Sequence, residues 1–414
     1  MNTEYTLTAS GSGFTEIAVL EAAAPSAAPF NRYRFLYTAS EPLRGKIYYR
    51  DHENNPASEA FYLEAAETKT AFSSFTDAYL TGKLASEVEK IELSGTSGSA
   101  YGVTITSFTT EAAEILTETT VYIENEYMRV GALLSYGGGL SYIKWKKDSP
   151  SGMDNLLNRY DPGRLVQQSY YGTSQPPYEC ATFMGHRWSY NPVQGGDQHN
   201  NISKLIDYRI TETSMYVKCR PLDWAQNNLP TYSYMENTYS LDGKLLRVDN
   251  RFVDFSPYTH GRSSQELPAF YTISALKKFT YYVGTAPWTY DKLTSRDDMI
   301  FWAEPGADHI VEIADGNTET WCAFTDDDPE TNDFGLGLYV PNISRYTAGR
   351  FMYNGSTDPM NPATNYVAPL RTMTLQAFKP IEYGYLITGG PLTDIRKSFT
   401  ENKDLIDNSG LSAY

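Results

Sequence analysis

Cysteine is scarce in this chain. Cys180, Cys219 and Cys322 are few, far apart and odd in number, which argues against both a disulfide framework and a thiolate metal site; one pair could bridge, and the spacing does not choose it. Positive charge is also short. With 34 Lys and Arg against 50 Asp and Glu, the net charge is −16, which argues against nucleic acid and anionic membranes, whose binding depends on Lys/Arg clusters. It also disfavours a polyanionic substrate, unless a local basic cleft overrides the global field. No run approaches the ~18–20 apolar residues of a spanning helix, so membrane insertion is not expected. The opening MNTEYTLTASGSGF lacks the basic and apolar regions of a secretory signal. Charged residues make up only 20%, and Ser, Thr, Asn and Tyr are abundant. The protein is then either cytoplasmic or exported by a leader not present in this chain; the surface suits an exported protein, so a secreted or periplasmic setting is expected. No Gly-rich loop stands between a strand and a helix, and no cofactor or metal is expected.

What is abundant is aromatic. The 34 Tyr residues carry most of the 14% aromatic content, and Tyr serves either a recognition surface or the half-exposed faces of β-strands. At 414 residues, two domains are expected. Residues 1–112 contain no Trp or Cys and repeat short alternating runs: EYTLTAS, FTEIAVLEA, YRFLYTAS, GKIYYRD, AFYLEAA, VEKIELSG and YGVTITSF. The turn clusters GSG (11–13), ENNP (53–56) and SGTSGS (94–99) separate them. Period-two alternation at this spacing predicts a small accessory β-sandwich. A charged linker is expected over TTEAAEILTE (109–118). From Thr119 to the C-terminus, longer strand-like runs such as MIFWAEP, TWCAFTD and RTMTLQAF predict a large antiparallel sandwich, with only a turn of helix at TDIRKSFTENKD. The fold class is therefore all-β.

A resemblance sharpens that expectation. VYIENEYMRVGALLSYGGGLSYIKW (121–145) resembles the opening of galactose-mutarotase-like supersandwich domains, at Asn125, Val130, Gly138, Gly139, Leu140 and Ile143. LDGKLLRVDNRFVDFS (241–256) resembles their mid-domain strand pair, and AFKPIEYGYLITGG (377–390) their closing strand. The resemblance covers roughly 119–390. It implies a large antiparallel supersandwich carrying the catalytic centre, and a carbohydrate bound in a cleft across one sheet.

The segment 160–199 is too polar for a core and too aromatic for an idle loop, so it reads as a pocket wall for an oligo- or polysaccharide. Arg164 supplies a planar donor fork, and Gln167 and Gln168 supply amides. Tyr170 and Tyr171 point to opposite faces of an extended chain, so one of them meets a ligand; Tyr171 is taken as that one. His186 and Trp188 share a face, Asn191 opens a turn, Gln194 adds an amide, and Gly195-Gly196 lets Asp197 come close. A plain reading has this stretch as a sheet-edge loop pinned by its own amides. In HGRSSQELPAFYT (260–272), Glu266 is either a buried carboxyl with a raised pKa or an ion-pair partner of Arg262. Trp224 and Trp288 are further sugar platforms. TDDDPETND (325–333) lacks the spaced ligands of a calcium loop and reads as a solvated turn.

Four functions compete. Glycoside hydrolysis needs two carboxyls, here Glu266 as acid with Asp197, and His186 nearby. A polysaccharide lyase would neutralise a uronate with Arg164, Asn191 or an amide and use His186 or Tyr171 as base. Sugar epimerisation and non-catalytic glycan binding follow. The hydrolase reading ranks first, and oligomeric state is left open.

Overall fold

A computed structural model describes residues 18–21, 29–96, 102–115, 119–147, 149–297, 299 and 309–414. The run EYTLTAS, MIFWAEP beyond Met299, the GSG turn and the second half of SGTSGS lie outside the described residues, as does the end of the expected linker. The chain is all-β, its strands almost wholly antiparallel.

Alternation is plainest in the N-terminal strands. Arg32–Ala39 buries every second side chain, and those side chains meet the opposing sheet. One sheet runs Ala18–Glu21, Glu87–Gly95, Leu43–Arg50, Pro56–Leu63; the other runs Ala66–Phe75, Arg32–Ala39, Val103–Glu111. Between them Phe35, Phe61 and Phe72 pack with centroids 5.0 to 5.5 Å apart. At ENNP, Asn54 turns at positive φ while the Asp51 carboxylate accepts the N–H groups of Glu53 and Asn55. The strand Val103–Glu111 runs three residues into the stretch expected to be linker. The core of this sandwich continues into Ile206, Tyr234, Val253 and Phe255 of the sheet that follows.

That sheet has nine strands, with Ser233–Asp242, Leu245–Asp254 and Ile381–Pro391 at its centre. The D-G hairpin closes with Asp242 opposite Leu245, and Gly243 takes positive φ at the first loop position, as strand twist requires. A seven-stranded sheet faces it, in the order Leu222–Asp223, Pro192–Val193, Gln167–Ser169, Arg262–Ile273, Thr364–Thr374, Arg345–Phe351, Ile310–Glu312. The two enclose the main core, where Tyr170 lies 4.2 Å from Phe252 between ring centroids. A three-stranded sheet, Thr120–Glu124, Met128–Leu133 and Gly139–Trp145, adds to that core. The architecture is a small sandwich followed by a large antiparallel supersandwich.

At the C-terminus the structure corrects one expectation. TDIRKSFTENKD forms an eleven-residue helix, Leu392–Asn402, not a single turn. Ile395 and Phe399, four apart and hence on one helix face, pack on Trp321, Tyr339 and Leu386 of the nine-stranded sheet.

The strand Arg262–Ile273 decides where the site lies. Glu266 stands opposite Leu370 and Phe270 opposite Val367, so this strand carries one extra residue between those pairs. Pro268, with no N–H to give a ladder, falls inside the irregular stretch. The bulge resets the alternation. Leu267, Phe270 and Ile273 enter the main core, while Glu266, Ala269 and Tyr271 line a cavity on the sheet's other face.

Candidate active site

The cavity holds about 340 Å³. Its floor comes from the seven-stranded sheet: Gln167, Ser169, Val193, Glu266, Ala269, Tyr271, Thr364 and Tyr366. Its walls come from the loops around 160–164, 183–200 and 224, together with Phe351.

Edge-to-face aromatic contacts build one wall. Trp188 lies 6.1 Å from Tyr171 and 5.0 Å from Phe183, and Phe183 lies 5.5 Å from Trp224, between ring centroids. Trp188 donates its indole N–H to the Asn191 amide oxygen at 3.0 Å, and the Asn191 amide donates to the Tyr170 carbonyl at 2.7 Å. At Gly163 any side chain would meet Trp224, since a Cβ there would stand 2.5 Å from the indole.

At the floor, Glu266 is buried, and its Oε1 accepts the hydroxyls of Tyr366 at 2.5 Å and Tyr171 at 3.1 Å. Burial pushes its carboxyl above the usual carboxylate range; hydrogen bonds from Tyr366, Ser169 and Tyr171 pull the other way but do not prevail. Burial, and then the neighbouring Glu266, hold the phenols of Tyr171 and Tyr366 well above their ordinary value. A second carboxyl lines the same cavity. Asp161 Oδ2 pairs with Arg164 at 3.2 Å and Oδ1 accepts the Gly163 N–H at 2.9 Å. Burial raises its pKa, against the Arg164 cation and the N–H groups of Gly163 and Arg164. Tyr271, on the floor, lies within the fields of both carboxyls and of Arg164. Arg164 also donates to the Pro362 carbonyl, which fixes its fork.

The expected site residues divide accordingly. Arg164, Gln167, Tyr171, Trp188, Asn191, Asp197, Trp224 and Glu266 all line the cavity. Gln167 does so with its amide committed, accepting the Gly195 N–H at 2.7 Å and donating to Pro162 at 3.1 Å. Asp197 is fully buried, and its carboxylate accepts four donors: the backbone N–H groups of His199, Asn201 and Asn228, and the Asn201 amide. With its lone pairs taken, it ties a loop together and has none free for a substrate. Gly195 and Gly196 make that loop feasible, since a Cβ on either would stand 2.1 or 2.0 Å from the carbonyl oxygens of Pro162 and Asn201.

The remaining expected residues lie elsewhere. Gln168, one position from Gln167 and so on the opposite face, bonds Glu236, Asn237 and Tyr170 in the interior. Gln194 bridges the Gln168 N–H and the Gly137 carbonyl, also in the interior. His186 is exposed on the short hairpin Thr182–Phe183/His186–Arg187, outside the cavity lining. Arg262 is exposed and donates to the Thr372 carbonyl, leaving Glu266 with tyrosine partners in place of an ion pair. Trp288 packs on Tyr339 beside the C-terminal helix, with the nine-stranded sheet between it and the cavity's sheet. In the acidic run, Asp326 accepts the Thr331 hydroxyl, and Asp327 and Asp333 pair with Lys278. The three cysteines are free thiols.

Sequence reading passed over Asp161 and Tyr366. Asp161 opens the DPGR turn as an ordinary turn former, and Tyr366 lies a hundred residues from Glu266, its neighbour only through the pairing of Tyr271 with Tyr366. It also passed over a buried cluster behind the wall. His260 Nδ1 accepts the Thr173 N–H at 3.0 Å, so its proton sits on Nε2, facing Asp254 Oδ2 at 3.1 Å. Ser256 and Tyr190 donate to the same carboxylate. With the ring's acceptor nitrogen engaged by backbone, the cluster is a clamp on the segment that follows Tyr171.

No family model and no curated protein matches the chain. Among solved structures it is similar to a galactose mutarotase related enzyme from Lactobacillus acidophilus, with 14% identity over 65% of this chain and 97% of that one, TM-score 0.37. It is likewise similar to a galactose mutarotase-like protein from Lactobacillus casei, with 13% identity over 65% and 99%, TM-score 0.39. An alpha-mannosidase from Enterococcus faecalis aligns with 95% of this chain and 44% of its own, with 10% identity and TM-score 0.39. Identities this low carry no residue roles across, so the roles of the cavity residues rest on their own geometry.

Proposed function

We propose that this protein is a carbohydrate-active enzyme, a glycoside hydrolase with Glu266 as proton donor and Asp161 as the second carboxyl. One observation carries the reading: a buried carboxyl, held by two tyrosine hydroxyls, at the floor of a cavity walled by Trp188, Trp224 and Tyr171. Flat rings suit the C–H faces of a sugar, while the Arg164 guanidinium suits its hydroxyl edges. Glycosidic cleavage requires one carboxyl that keeps its proton and a second that is charged. Glu266 faces only neutral hydroxyls; Asp161, though also raised by burial, faces a guanidinium and two backbone N–H groups, which favour its anion. The lyase reading loses support on two counts. His186 lies away from the cavity, and the phenols of Tyr171 and Tyr366 are held too high to act as bases.

Glycan binding without cleavage is the second reading, favoured by the occupation of both Asp161 oxygens. A glycan panel followed for reducing ends and for the ultraviolet absorbance of unsaturated product separates the readings. Hydrolysis gives reducing ends without absorbance, and Glu266→Gln, which keeps an acceptor for both tyrosines, then lowers kcat by about 10³-fold or more with binding retained. Unsaturated product would replace the hydrolase by a lyase. Binding with no product, unchanged by Glu266→Gln, would leave a binding protein.

A further inference from the structure

The mouth of the cavity has two banks. One is the hairpin tip at Phe183 and Met184. The other begins with Tyr160 and Phe351, and the Arg164 guanidinium lies over both rings, 4.9 and 5.3 Å from their centroids. This second bank continues past the cavity. Tyr353 follows Phe351 by two residues and carries Arg350 over its ring at 4.8 Å. The Pro359 carbonyl accepts the Arg159 N–H at 2.9 Å, which ties the segment before Met360 to the one before Tyr160.

Tyr160, Met184, Met352, Tyr353 and Met360 are each at least 44% exposed. They are five of the nine large hydrophobic side chains so exposed among the described residues. Scattered single cases need no explanation, but a cluster running out of a cavity does. The bank is also held in place. The N–H groups of Asn354 and Gly355 donate to the Ser274 hydroxyl at 3.2 and 3.3 Å, and the Asn354 amide donates to Asn361 at 3.0 Å. Rigid rings that protrude are ready to stack without losing further freedom.

We propose that the bank from Tyr160 to Tyr353 is a second saccharide subsite, which takes the units of a chain that continue out of the cavity. The substrate is then an oligo- or polysaccharide and not a free monosaccharide. This rests on the carbohydrate reading of the cavity. Tyr353 supplies the stacking plane on the face opposite Arg350, and Met352 and Met360 add exposed apolar surface.

The test uses the polysaccharide that responds in the glycan panel, cut and sized into disaccharide and hexasaccharide fractions. Wild type, Tyr353→Ala and Met352→Ala/Met360→Ala are compared by kcat/KM, or by dissociation constant if the panel shows binding alone. Loss of one stacked ring is expected to cost about tenfold on the hexasaccharide and nothing on the disaccharide. The Met pair serves as a second variant should Tyr353→Ala disturb the loop. Equal losses on both fractions, or none, overturn the subsite. So does self-association, seen by sedimentation, that the same substitutions abolish while chain-length preference is kept; the bank would then be a contact between copies. A panel in which wild type neither binds nor cleaves any glycan removes the reading of the cavity itself.

Discussion

At Glu266, two opposing effects meet on one carboxyl. Burial favours the neutral acid, and the tyrosine hydroxyls favour the anion. Burial prevails, so the hydroxyls act as a brake on how far the pKa rises. Tyr366→Phe removes the shorter of the two bonds, 2.5 Å, while keeping the ring that packs on Tyr271 at 4.7 Å. The Glu266 pKa then rises further. In the hydrolase mechanism, activity on the alkaline side is lost as the donor gives up its proton, so that limb of the pH–rate profile is expected to move to higher pH. A limb that stays in place, or moves to lower pH, would remove Glu266 as the titrating acid.

Among the elements, the strands were the most legible part of the chain. Alternation in Arg32–Ala39 and the D-G turn at Asp242–Gly243 each follow from local chemistry, and the structure has both where the pattern puts them. The convergence of Arg164, Tyr171, Trp188, Asn191, Trp224 and Glu266 was also readable, because the polar–aromatic mixture had no place in a core. What alternation could not show is a change of register. Past the bulge at 267–269 the faces switch, and Tyr271 reaches the cavity where strict counting from Glu266 would turn it into the core. Tyr366 needed the pairing of two distant strands. Asp197 shows a different limit: a carboxylate after Gly-Gly looks the same in sequence whether it meets a substrate or its own loop. Its four donors decide for the loop. Asp197→Asn leaves an amide that cannot accept all four, so the variant is expected to lose about 2 kcal/mol of stability, read as a lower melting temperature, with turnover per folded molecule largely kept. Unchanged stability with abolished turnover would return Asp197 to the mechanism.

For the whole molecule, charge and burial combine into one pH dependence. Asp223 sits behind the cavity wall, bonded by the Tyr178 hydroxyl at 2.9 Å, and burial lifts its carboxyl from 3.8 to about 7. Burial also raises Glu266, Asp161, Glu59 and Asp207. An acid whose folded pKa exceeds its unfolded value binds its proton more tightly in the fold. Its contribution is complete below the unfolded value and fades as pH rises through the folded one. For Asp223 that window runs from 3.8 to about 7, and its full span is on the order of 4 kcal/mol. Carboxyls held low by partners, such as Asp77 beside Lys204 and Glu236 beside Lys218, work in the opposite sense and lose their contribution only at more acid pH. Net charge of −16 adds self-repulsion that acid relieves. The melting temperature is therefore expected to be highest near pH 5 and to decline toward pH 8. Asp223→Asn keeps the partner for Tyr178 and removes one titration, so the decline between pH 5 and 7 should flatten. An equally steep decline in that variant would show that Asp223 is not among the groups that set it.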